Sequence, residues 1–318
     1  MPSEFDLIAR YFARPTPQAV LGPGDDCALL APSPGMELAI TTDMLVSGTH
    51  FLADTNPFQL GWKTLAVNLS DLAAMGARPR WALLAGSLPD ADEVWICGFA
   101  DGLFACAKRY RVDLVGGDTT RGPLNLCLTA LGELPAGTAL RRDRAQAGDD
   151  LWISGWPGLA ALGLAQLQKR TQLPEALAAR CLTALQRPMP RMELGLALRE
   201  QGLATAAIDV SDGLLADIGH IAECSGVDAE IRLPQLPCLP AGADPELARH
   251  CQLAGGDDYE LAFAAAPQAR HRIAALAASL DLPLWRIGSV QEGNGKIRLV
   301  DEHGQTNPTA HKGFDHFG

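Results

Sequence analysis

The chain is short of the features that mark several large protein classes. It has no C-x-x-C pair: its eight cysteines, at 27, 97, 106, 127, 181, 224, 238 and 251, are scattered, which excludes a zinc ribbon and a thioredoxin-like motif and suits buried thiols in a reducing cytoplasm. No apolar run reaches the ~18 residues of a membrane span. The opening "MPSEFDLIARYF" carries Glu4 and no long apolar core, so it does not read as a signal peptide. Positive charge is scarce: 26 Lys and Arg against 37 Asp and Glu leave a net charge of −11, which argues against a nucleic-acid partner. G-x-x-x-x-G-K-[ST] is missing, as are H-R-D and D-F-G, so neither a P-loop enzyme nor a protein kinase is indicated. No tandem repeat or low-complexity tract interrupts the chain.

What is there is a sizeable core and an unusual placement of acids. The 318 residues are 47% hydrophobic and 20% charged, enough for two domains. Up to about residue 137, strand and helix patterns interleave: "ELAITTD", a helix over 57–76, "WALLAGSLP", a helix over 92–110, "VDLVGGDTTRG" and "LNLCLTALGEL". The turn-rich "LPAGTALRRDRAQAGDD" marks the boundary. A second α/β region over 138–318 follows, with "LWISG", "AAIDVSDGLLADIGHIAECSG", a loop-rich stretch, "GGDDYELAFAA", a helix over 267–281 and two closing strands. Fold class is therefore α/β (α+β) in two domains.

Three apolar runs end on acids: "LAITTDM" at Asp43, "VDLVGGDTTRG" at Asp118 behind Gly116 and Gly117, and "AAIDVSDG" with Asp209 and Asp212. Each alone reads as a turn; together they suggest a polar site at one rim of the sheets. On the helix over 57–76, Leu65, Leu69, Leu72 and Ala73 form an apolar stripe, while Thr64, Asn68 and Asp71 share another face. That second face is either a half-buried capping network or a wall of a cavity into which Asp71 points. Carboxylates and Thr hydroxyls without a His/Cys cluster suit Mg²⁺ or Ca²⁺ rather than zinc. An EF-hand does not fit: from Asp209, Gly213 falls at loop position five and His220 at twelve. A Mg²⁺–polyphosphate site fits better, since metal-free carboxylates at 4 Å repel by about 4 kcal/mol at an effective dielectric of 20.

Taken together, "GPGDDCALL", "TTDMLVSGTHF", "AVNLSDLAAMGARP", "GGDTTRGPL", "AIDVSDGL", "GGDDYEL" and "KGFDHF" resemble the thiamine-monophosphate kinase family, in the aminoimidazole ribonucleotide synthetase superfamily. The resemblance covers essentially the whole chain. G-D-D and D-x-S-D-G are shared across the superfamily; "SGTHF", "VNLSDLAAMGA" and "KGFDHF" are particular to the kinase. It implies ATP-dependent phosphorylation of thiamine phosphate to thiamine diphosphate, by direct transfer with several Mg²⁺ ions. It also implies a homodimer whose N-terminal domains pair their sheets, with ATP in the cleft and the C-terminal domain completing it. Carried over residue by residue, Asp26, Thr41, Thr42, Asp43, Asp71, Asp118, Asp209 and Asp212 match metal ligands, Asp43, Asp71 and Asp118 foremost for catalysis. Gly117, Asp118, Arg142 and Ser211 match ATP contacts; His50, Asp257 and Phe314 match the substrate pocket. The glycines before Asp118 would let main chain approach the phosphates. One departure is Asp257, where the family usually has Glu; Asp258 and Glu260 stand beside it as alternative acceptors, and Phe314 keeps a ring where Tyr or Trp occurs. Rival readings are another ATP-using member of the superfamily and a non-catalytic metal- or nucleotide-binding protein.

Overall fold

A computed structural model describes residues 3–238 and 241–308. The chain forms two compact units, the first running to Leu72 and resuming from Ala77 to Thr138, the second taking Ala73–Gly76 and the chain from Ala139 onward.

The first unit starts with α1 (Glu4–Leu7), where Ser3 and Asp6 form a capping box, and a π turn over Ile8–Phe12. Then come β1 (Met36–Val46), α2 (Pro57–Ala74), β2 (Arg78–Leu88), α3 (Glu93–Tyr110), β3 (Asp113–Arg121) and β4 (Asn125–Pro135). The strands make a mixed sheet in the order β1-β4-β2-β3, in which only β2 and β3 run parallel. Alternation along the strands gives the sheet its faces. Trp81, Val115 and Leu131 form a core with Ala19, Ala28 and Leu30 of the N-terminal segment, and the Trp81 indole N–H donates to the Gln18 carbonyl at 2.9 Å. Helices α2 and α3 cross where each offers a glycine: a Cβ at Gly61 would lie 2.0 Å from the Phe99 carbonyl oxygen, and one at Gly102 1.8 Å from that of Phe58.

Helix α2 corrects the two-faced reading of its sequence. It is buried almost all round: Leu65, Leu69 and Leu72 are inside, and so are Thr64 and Asn68 of the polar face and Ser70 beside them. The Thr64 hydroxyl donates to the Leu60 carbonyl and the Asn68 amide to that of Thr64, so the helix satisfies part of its own polar face.

The second unit contains β5 (Asp150–Ser154), α4 (Leu159–Leu167), α5 (Glu175–Gln186), α6 (Met192–Glu200), β6 (Ala206–Val210), α7 (Leu214–Ser225), β7 (Val227–Arg232), α8 (Pro245–Ala254), β8 (Glu260–Ala265), α9 (Arg270–Leu280), β9 (Leu284–Glu292), β10 (Ile297–Val300) and β11 (Thr306–Pro308). Its seven described strands lie in the order β11-β10-β7-β9-β5-β8-β6, antiparallel except for β7 and β10. Strands β5 and β8, inside the sheet, are buried at every position, and so is β6 although it ends the strand order. The stretch read as loop-rich holds α8, whose start was legible in "ADPEL": Asp244 accepts the Leu247 N–H at 2.9 Å and Pro245 opens the helix.

Candidate active site

In the first unit, β1 sorts the predicted ligands by its alternation. Ala39, Thr41, Asp43 and Leu45 are the less exposed set, while Met36, Leu38, Ile40, Thr42 and Met44 turn the other way. The Thr41 hydroxyl donates to Asp71 Oδ2 at 2.5 Å, joining β1 to α2 and bringing two predicted ligands together. Asp43 follows two residues on along the same face. The Thr42 hydroxyl is paired with that of Thr129, directly opposite on β4, at 2.6 Å, on the other face from Thr41 and Asp43.

The acids do not terminate their strands as the sequence suggested. β1 continues past Asp43 to Val46, and β3 runs through both glycines and Asp118 to Arg121, because the ladders to β4 and β2 continue. Asp43, Leu128, Leu84 and Gly117 form one row across the sheet. Asp118, exposed, belongs to the next row with Ala85, Cys127 and Met44. Gly117 has a structural reason of its own: φ is +149°, and a Cβ there would lie 1.8 Å from the Leu84 carbonyl oxygen. Asp26 is exposed in a turn where its N–H donates to Asp25 Oδ1 at 2.8 Å. His50 closes the turn after β1. The Val46 N–H donates to His50 Nδ1 at 3.0 Å, which puts the ring proton on Nε2, a donor suited to an anion.

Among the described residues, no three His, Cys, Asp or Glu side chains converge on one metal position. The donors that do meet are oxygens, and the buried Asn68 Oδ1, on the Asp71 side of α2, has no hydrogen-bond partner. This set fits Mg²⁺, which is commonly held by one or two carboxylates together with substrate phosphates and water, and does not fit a closed transition-metal cage.

In the second unit, Asp209 is buried near the end of β6, and Ser211 and Asp212 form the turn into α7. Sequence reasoning missed what holds that turn. Asp217, almost fully buried in the first turns of α7, accepts the N–H groups of Ser211, Asp212 and Gly213 at 3.0, 3.1 and 3.2 Å. The α7 N-terminus, which otherwise attracts a phosphate, is thus filled by the protein's own carboxyl group. Burial, reinforced by the charge of Asp212, pushes the Asp217 pKa up to about 7 against the pull of those three N–H groups. The signal was an acid in "SDGLLAD", four residues beyond the glycine.

The loop before β8 packs main chain to main chain on this turn. The N–H groups of Asp257 and Tyr259 donate to the carbonyls of Ser211 and Val210, each at 2.8 Å, and a Cβ on Gly256 would lie 2.4 Å from the Ser211 oxygen. Asp209, Ser211, Asp212 and Asp257 are therefore gathered at one edge of the second unit. Asp258 and Glu260, the alternative acceptors, are committed elsewhere. Asp258 accepts the N–H groups of Gly158 and Ala160 at 2.6 and 3.3 Å, and burial holds its pKa well above the usual carboxylate range. Glu260 is buried and takes hydrogen bonds from Ser154 and, in a fork, from Arg191, each at 2.5 Å. Arg142 is exposed between β4 and β5, its carbonyl held by the Ser225 hydroxyl at 2.9 Å. Phe314 lies outside the described residues.

The family model for AIR synthase related proteins, N-terminal domain, matches residues 24–134, and that for the C-terminal domain matches residues 146–301. The chain is 45% identical to the thiamine-monophosphate kinase of Escherichia coli strain K12, over 99% of this chain and 98% of the relative. Among solved structures, the thiamine-monophosphate kinase of Stenotrophomonas maltophilia K279a superposes with a TM-score of 0.84 at 50% identity, covering 95% of each chain. AaThiL complexed with AMPPCP and TMP gives a TM-score of 0.78 at 30% identity, covering 90% of this chain and 89% of that one. With both domain models matched in order and relatives aligned end to end, the chain belongs to the thiamine-monophosphate kinase family of AIR synthase related proteins.

Proposed function

We propose that this chain transfers the γ-phosphoryl group of ATP to thiamine phosphate, giving thiamine diphosphate and ADP. The observation that carries the reading is the end-to-end likeness to thiamine-monophosphate kinases, one relative of which, AaThiL, binds AMPPCP, an ATP analogue, together with TMP. In the first unit Asp26, Thr41, Thr42, Asp43, Asp71 and Asp118 are the oxygens that would hold Mg²⁺; in the second unit Asp209 and Asp212 are. Bound there, the ion supplies charge neutralisation of the phosphates. The protein's own part is positioning. The Thr41 hydroxyl fixes the direction of the Asp71 carboxylate, and the His50 ring offers its Nε2–H to an acceptor-phosphate oxygen. The acceptor phosphate is already anionic near neutral pH, so transfer through a loose transition state needs no strong general base. Mg-ATP with thiamine phosphate should release ADP; thiamine alone and a no-acceptor control should not, and label from γ-labelled ATP should not stay on the protein. ADP release independent of the acceptor, or stoichiometric labelled protein, would refute direct transfer to thiamine phosphate.

The same reading includes a homodimer, and β1 supports it. This eleven-residue strand is at a sheet edge, and its outward row exposes Met36, Leu38, Ile40 and Met44, with Ile40 62% accessible. Long exposed apolar edges are ordinarily blunted in monomers, so a second copy is the fitting cover. Ile40→Asp is expected to shift the mass measured by light scattering from dimer to monomer at micromolar concentration. An unchanged dimer mass would remove this face from the interface.

A further inference from the structure

The proposed acceptor contact, Asp257, stands in an unusual piece of backbone. Asp257 and Tyr259 both adopt left-handed conformations, with φ of +70° and +52°, a region that L side chains other than Asn and Asp seldom occupy and that a bulky aromatic residue enters only under constraint. The constraint is visible on both residues: each N–H is anchored on the preceding turn, to the carbonyls of Ser211 and Val210. The result is that the Tyr259 side chain folds back over its neighbour two positions earlier, and its hydroxyl donates to Asp257 Oδ1 at 2.9 Å. The ring is buried, only 8% accessible, so the phenol is fixed by packing before it fixes the carboxylate. Backbone strain gathered at one carboxylate, with a buried donor aimed at it, belongs to a residue whose direction matters.

We infer that Tyr259 is a positioning residue that sets acceptor selectivity, holding Asp257 so that the site takes an aminopyrimidine and rejects an oxopyrimidine. The inference rests on the reading of Asp257 as an acceptor-pocket residue and adds a residue and a selectivity to it. An ionised carboxylate only accepts hydrogen bonds, so it rewards an amine N–H and repels a carbonyl oxygen in the same place. A loosely held carboxylate would swing away from the carbonyl and relieve the repulsion. One whose oxygen is bonded to a buried phenol keeps facing the ligand, and the mismatch persists. A site built around a fixed hydrogen-bonding group discriminates far better than one that can relax. Tyr259 touches neither substrate in this account; it acts through Asp257.

The test compares kcat/KM for thiamine phosphate with that for oxythiamine phosphate, which carries a carbonyl where thiamine phosphate carries its amine. The comparison is made in the unaltered enzyme, Tyr259→Phe, Asp257→Ala and the double variant. The unaltered enzyme is expected to prefer the amine by about 10- to 100-fold. Tyr259→Phe, which removes one oxygen and keeps the ring, should reduce that ratio by about 3- to 10-fold, mostly through the acceptor KM, with the ATP KM unchanged. Asp257→Ala should bring the ratio near unity, and adding Tyr259→Phe to it should change nothing more, since the phenol then has no carboxylate to hold. Each ratio is taken within one preparation, so a loss of folded protein cancels. A Tyr259→Phe ratio equal to that of the unaltered enzyme, while Asp257→Ala collapses it, overturns the inference and leaves the acceptor site standing. So does a further effect of Tyr259→Phe in the Asp257→Ala background. No discrimination in the unaltered enzyme, or full discrimination in Asp257→Ala, overturns the placement of Asp257 in the acceptor pocket itself.

Discussion

Asp71→Asn is expected to lower turnover at least ~100-fold, a transition-state loss of at least about 2.7 kcal/mol, while the protein stays folded. The physical basis is the meeting of β1 and α2. Asp71 is half-buried on a helix that is otherwise inside, and it accepts a hydrogen bond from Thr41 at 2.5 Å. An amide is nearly the same shape and can still accept that bond through its oxygen, so the helix loses little. What disappears is the negative charge, and with it the means of holding a divalent ion against phosphate. Asp118→Asn, on an exposed carboxylate of β3, should lower turnover comparably with even less effect on stability. A second readout separates charge from folding. Mg-ATP should raise the melting temperature of the unaltered protein by several degrees, since binding at 100 times Kd stabilises by about 2.7 kcal/mol. In Asp71→Asn that Mg²⁺-dependent shift should shrink while the ligand-free melting temperature stays within a few degrees. Near-normal turnover at saturating Mg²⁺, or an undiminished shift, would remove Asp71 from the metal set.

How much of this was legible beforehand depended on whether the determining interaction is local. The period-2 run "ELAITTD" and the cap Asp92 before α3 announce their elements because alternation and capping act over a few residues. The α/β class followed from those patterns, whereas the mixed sheet of the first unit was implied only by the family resemblance. The faces followed from neither. Lys63, Asn68 and Ser70 are buried because α2 is covered on more than its apolar side, a fact of tertiary packing that no helical stripe reports. Likewise "VGGD" reads as a strand end, because glycine is a poor strand residue; the ladder to β2 carries β3 straight through it. Among the site residues, those that the sequence marks by type and motif could be named, whereas their holders could not. Asp217, Tyr259 and Arg191 act through contacts set by folding, and only Asp217 left a local trace, four residues into its helix.

Gly117→Ala is expected to destabilise the protein by about 3 kcal/mol or more, lowering the melting temperature by roughly 6 °C or more, whereas Gly116→Ala should change it by no more than a degree or two. The two glycines are adjacent in "VGGD" and look equivalent in sequence. They are not equivalent in the sheet. At 117 the backbone has φ of +149°, and an added Cβ would meet the carbonyl oxygen of Leu84 at 1.8 Å, the carbon of that carbonyl at 2.6 Å and the Leu84 nitrogen at 2.9 Å. Those atoms belong to β2, on which β3 is laddered, so they cannot yield as the tip of a side chain would; the strand must shift, and Asp118 shifts with it. At 116 the nearest atom is a methyl of Leu83 at 3.7 Å, ordinary van der Waals contact. The contrast divides the uses of glycine. If Gly116 is present to let main chain approach a phosphate, Gly116→Ala will raise the KM for ATP with the melting temperature unchanged. Gly117→Ala should lose stability and turnover together, because the packing of β3 and the placement of Asp118 are one event. A Gly117→Ala protein that melts within about 2 °C of the original would show that β3 relaxes around the added methyl, and would return Gly117 to the phosphate-approach role that the sequence first suggested.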